Sequence, residues 1–177
     1  MKKLLAPAAL ALMLAILAGP AGASTQTIDA TLSNTVSMTT TPDSAVSGWS
    51  LASTGSNQTS GGTMTVNANS AYTVTVTADK SAMTEYITAS SAYETTSPKT
   101  LSTALSVIGA RTGGTAPVAG TAATAVIGTS TTFATGLGSG TDDYSVTLSQ
   151  PTVITDKALA AGRTYHIQLT YTASSAL

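Results

Sequence analysis

The chain has 177 residues, no cysteine, seven Lys and Arg against eight Asp and Glu, and a mean hydropathy of +0.24. With only 8% charged residues and no basic cluster, nucleic acid and anionic membrane surfaces are poor partners. Without cysteine there is no disulfide staple, and with a single histidine there is no zinc centre.

Residues 1–23 read as a signal peptide. Lys2 and Lys3 start it, residues 4–17 are apolar apart from Pro7, and Ala21-Gly22-Ala23 is a small-residue cleavage site. The apolar run is too short for a membrane span, which predicts a secreted or cell-surface protein with no integral membrane anchor. Residues 24–177 then form one domain of about 154 residues, large enough for a real core. Removing Lys2 and Lys3 leaves five basic and eight acidic residues. Thr and Ser make up roughly a third of this mature chain. The threonines alternate with Val, Leu, Ile and Tyr, a pattern of strands rather than of a glycosylated stalk.

Residues 25–33 read as a first strand, with Ile28, Ala30 and Leu32 on one face and Asp29 on the other. Thr39-Thr40-Thr41-Pro42-Asp43 is a turn. Residues 46–52 form a strand that carries the only tryptophan, with Trp49 and Leu51 directed to the core. Residues 55–62 form a polar loop holding the sequon Asn57-Gln58-Thr59, a glycosylation site in a suitable host. Residues 62–78 are the clearest stretch. Met64 and Val66, then Tyr72, Val74 and Val76, alternate with Thr and Asn, which predicts two strands paired as a hairpin through a short link.

Residues 79–100 are the most charged part of the mature chain. They read as a long excursion with a helical turn near 81–86, carrying Tyr86 and Tyr93. Alternation returns over 101–110, with Leu105 and Val107 on one face. Residues 112–140 are rich in Gly, Ala, Thr and Ser; Val126, Ile127 and Phe133 suggest irregular or edge strands. Tyr144, Val146 and Leu148 point inward from a strand that ends near Pro151. Asp156 and Gly162 bracket a helical turn. A last strand, 163–173, turns Tyr165, Ile167, Leu169 and Tyr171 inward. The sum is an all-β fold, an antiparallel β-sandwich of about eight to ten strands, immunoglobulin-like or jelly-roll-like, following the cleaved signal helix.

No catalytic constellation stands out. The single histidine, His166, lies on a polar strand face, and the eight acids lie singly in turns apart from Asp142-Asp143. Neighbours on a strand point to opposite faces, so that pair makes a poor dyad. It remains a weak calcium candidate if other turn acids converge on it. The expectation is no enzyme and no cofactor.

Trp49-Ser50-Leu51, the run from Gly61 to Asn69, Tyr72-Thr73-Val74-Thr75-Val76 and the run from Ala161 to Ile167 together resemble small secreted β-sandwich proteins of prokaryotic envelopes. WxL-like surface domains are among these. Their second Trp-x-Leu motif is absent here, so their wall binding is not carried over. A broader likeness is to sandwich subunits that polymerise by donating a terminal strand, which would place residues 25–33 in a neighbour.

Two functions follow. The first is a structural subunit assembling through β-edges, with itself or with other surface proteins, because charges that normally defend edges are scarce. The second is a module binding envelope polysaccharide through Tyr86, Tyr93 and Trp49.

Overall fold

The computed structural model describes residues 30, 32–128 and 131–176. The proposed signal peptide lies outside them, as does Ile28; Ala30 and Leu32 are exposed and carry no strand. The chain divides into residues 1–32 and 33–177, and every strand among the described residues lies in the second unit.

The fold is all-β and antiparallel, with twelve strands among the described residues. A five-stranded sheet has the order β1 (Val36–Thr40), β2 (Gly55–Ala68), β10 (Gly140–Thr152), β6 (Ser106–Gly113), β8 (Thr124–Val126). A four-stranded sheet runs β12 (Leu169–Ser175), β3 (Tyr72–Ala78), β9 (Thr132–Gly136), β7 (Thr121–Ala122). A small third sheet joins β11 (Arg163–His166), β4 (Thr84–Ile87) and β5 (Ala92–Tyr93). The count exceeds eight to ten because β5, β7 and β8 are only two or three residues long.

The core lies between the two larger sheets. Met64 and Val66 from β2 meet Tyr72, Val74 and Val76 from β3, together with Val107, Phe133, Tyr144 and Val146. All of them are essentially inaccessible to water.

Several expectations are corrected. β2 and β3 do not form a hairpin: β2 pairs with β1 and β10, and β3 with β12 and β9. Their apolar faces oppose each other across the core, so the link at 69–71 is an arch between sheets. Asn69 fixes that arch. Its side chain accepts from Thr35 N at 2.7 Å and donates to Ser33 O at 2.9 Å. The polar loop expected at 55–62 is the first half of β2, since β10 offers a partner along its whole length.

The strand expected at 46–52 is irregular. Gly48 has φ of +70° there, and Trp49 is only partly buried against the core. The turn expected at 39–43 begins later, because Thr40 still belongs to β1. Gly62, at φ +91°, lets Asp43 come close enough for Asp43 N to donate to Gly61 O at 2.9 Å.

Neither predicted helical turn forms. Residues 84–87 pair with β11 instead. Asp156 holds a turn by accepting from Val153 N at 2.9 Å. The last strand is two strands, interrupted at 167–168, where Gln168 N donates to Asp79 Oδ1 at 2.8 Å and Asp79 N donates to Gln168 O at 3.1 Å. Pro151 does sit near a strand end, beyond the last residue of β10 that pairs with β6.

Candidate functional site

Three polar or aromatic clusters and one apolar cleft are the places where this sandwich could act. The first cluster is buried. Alternation along β10 sends Asp142 inward and Asp143 outward. Asp142 is 1% exposed and is fully engaged: Arg111 Nε donates at 2.6 Å, the Tyr72 hydroxyl at 2.7 Å and Gly120 N at 3.1 Å. Since Tyr72 spends its one proton on Asp142, Tyr144 donates to Tyr72 across 2.6 Å. Burial alone would raise the Asp142 carboxyl, but the bonds from Arg111, Tyr72 and Gly120 hold it below the usual carboxylate range. Burial, then these bonds, push Tyr72 far up, and burial raises Tyr144. Gly120 has no side chain because a Cβ there would strike the Tyr144 hydroxyl.

Asp143 instead accepts from the Thr65 hydroxyl at 2.7 Å on the outer face. The two calcium candidates therefore point apart, one satisfied by an arginine. Among the described residues no group of three or more His, Asp or Glu is placed to hold a metal ion.

The second cluster belongs to the small sheet. Arg163 Nη1 bridges Glu85 at 2.6 Å and Glu94 at 2.8 Å. The Glu85 carboxyl is lowered first by Lys99 N–H and then by Arg163.

The third cluster holds the proposed ligand aromatics. Tyr86 stacks on His166 with centroids 4.3 Å apart and meets Tyr93 edge-on at 5.4 Å. Lys80 Nζ stands 4.6 Å from the Tyr93 centroid, and the Tyr93 hydroxyl donates to Asp79 at 2.6 Å. Burial, then that bond, raises the Tyr93 hydroxyl. Both rings are partly buried and each has a face against a neighbour. Trp49, Tyr86 and His166 all line the cleft described next, and Tyr93 is not among its lining residues.

Asn57, the sequon residue, sits in β2 rather than a loop. Its Oδ1 accepts from Ala52 N at 2.7 Å, and its Nδ2 donates to Gln150 O and Thr152 Oγ1, each at 3.1 Å. A glycan on Nδ2 would replace one of its two hydrogens and so remove at least one of the latter bonds.

The cleft has a volume of about 1260 Å³. Met38, Trp49, Leu148, Ile167, Leu169 and Tyr171 give it an apolar wall. Tyr171 also meets Phe133 edge-on at 5.8 Å, and desolvation pushes its hydroxyl up to about 12. The irregular segment 41–53 forms one bank. Two unfinished edges lie near the space, which is lined by Gly61 of β2, by Leu148 and Thr152 of β10 opposite Thr59 and Gly55, and by Leu169 of β12. β1 pairs only with 65–68 of β2, which leaves 55–60 with β10 on one side and no strand on the other. β12 pairs only with β3. Sequence reasoning gave Trp49, Leu148, Ile167, Leu169 and Tyr171 to the core; their partial exposure comes from the shortness of β1, which alternation along β2 does not reveal.

Comparison with protein-family models, curated proteins and solved structures found no match to this chain.

Proposed function

We propose that this protein is an exported structural subunit that assembles, with itself or with other surface proteins, into a surface layer, sheath or filament through its β-edges. The supporting observation is the asymmetry of those edges. On one flank the sandwich ends in β8 and β7, of three and two residues, short enough to be poor templates. On the other it ends in β1, Val-Ser-Met-Thr-Thr, and β12, Leu-Thr-Tyr-Thr-Ala-Ser-Ser, neither with a charge or a proline. Lysine, proline, bulges and shortness are the usual defences of an edge; β12 has none of them, and β1 has only its five-residue length and a register shift between Met38 and Thr40. Main-chain pairing with another chain is the recognition mode such an edge supports.

The test is the mass of purified residues 24–177 as concentration rises, by light scattering and electron microscopy. Concentration-dependent oligomers or filaments are expected. A strict monomer up to millimolar concentration would refute the reading.

A further inference from the structure

Resting on that reading, we propose that the cleft between β1 and β12 is an acceptor for residues 25–32 of a second copy of this chain, added as a strand beside 55–60 of β2. Four observations converge on it. The cleft is larger than the roughly 300–1,000 Å³ of ordinary small-molecule pockets, and it suits a row of side chains. Its wall is apolar where Leu148, Ile167 and Leu169 face it, and apolar side chains at every second position are what it would bury. Residues 25–32 supply these as Ile28, Ala30 and Leu32, with Asp29 left on the solvent side. The backbone of 55–60 has an unpaired side for its whole length, about 20 Å at ~3.3 Å per residue, and an eight-residue strand covers that.

The donor is placed to serve a neighbour rather than its own cleft. Ser33 and Thr35 are pinned by Asn69 beside Ala68, where β1 begins. The acceptor backbone 55–60 is the other half of β2, its nearest residue eight positions and about 26 Å from Ala68 at ~3.3 Å per residue, while the cleft itself extends back to Met38. The chain therefore enters the domain at the end remote from its acceptor edge. Leu32, the described residue before Ser33, is 85% accessible. A chain that enters near Ala68 and an acceptor edge in the other half of β2 make the contact between copies heterologous, which builds an open filament unless the rotation between copies closes a ring.

The native chain has no cysteine, so single cysteines report contacts without background. Residues 24–177 carrying Ala30→Cys are mixed with a tagged copy carrying Leu148→Cys, and separately with one carrying Thr124→Cys on the opposite flank. Oxidation is expected to give a mixed disulfide with Leu148→Cys and little with Thr124→Cys. If Leu148→Cys does not fold, Met38→Cys on the same wall takes its place. In parallel, the double variant Ile28→Asp, Leu32→Asp should keep the melting temperature of the wild-type subunit and raise the concentration needed for assembly more than about tenfold. Oligomers that form equally well in the double variant, with no preference for the cleft cysteine, overturn strand donation and leave edge assembly standing. A wild-type chain that stays monomeric and yields no mixed disulfide overturns both.

Discussion

Removing the carboxylate of Asp142 strands three donors at once: Arg111, Tyr72 and the N–H of Gly120. Breaking a buried pair by deleting one partner typically costs 3–5 kcal/mol. Arg111 retains 24% exposure and can turn to water, so Asp142→Asn should destabilise by about 3 kcal/mol, read from denaturant unfolding. The same site sets an acid limit. Its carboxyl is lowered in the folded state, so its contribution is complete above the unfolded value near 3.9 and disappears as pH falls through the folded value. Stability of the wild type should therefore fall below about pH 4, and Asp142→Asn should show a flatter acid limb. Val74, with no exposed area, is the plainer case: Val74→Ala should cost roughly 1–3 kcal/mol. Val74 was legible from alternation alone. Asp142 was visible only as an acid in a turn or strand, because its partners lie 22 to 70 residues away.

At the level of elements, a period of two identifies strands but not their partners. β2 and β3 read correctly as strands, and their inward residues are those that alternation selects. Whether they pair or arch depends on the link, and 69–71 has no Gly to close a tight hairpin. The first half of β2 was hidden for a different reason. Gly, Ser, Asn and Gln have low strand propensity, and only the 13-residue β10 alongside holds them extended. An element-scale test lies on β12, whose outward positions Thr170 and Thr172 are exposed. Thr170→Lys with Thr172→Lys should leave the subunit's unfolding free energy within about 0.5 kcal/mol and suppress its association, read by light scattering. Unchanged association would remove β12 from the assembling edges and leave the β1 side to carry it.

The whole molecule is stabilised without staples, by packing and by ladders between distant segments. No strand of the two large sheets pairs with its immediate successor apart from β1 with β2. β10, the central strand, must find β2 across a separation that reaches 97 residues at the Gly55–Thr152 pair. β12 must likewise find β3, and the Ser70–Ser175 contact spans 105 residues. Closing such loops consumes chain entropy before any contact rewards it, so folding should be slow for a domain of this size. Stopped-flow refolding of residues 24–177, followed by Trp49 fluorescence, is expected in the range of about 10 ms to seconds. Trp49 is a useful reporter because it lies in the cleft wall rather than in the core. If the cleft is an acceptor, adding a peptide of residues 24–32 after refolding should give a second fluorescence change whose rate rises with peptide concentration. The refolding rate itself should stay unchanged, because the core between β2 and β3 closes without the donor. A peptide that produces no second change at any concentration would count against the cleft as the acceptor.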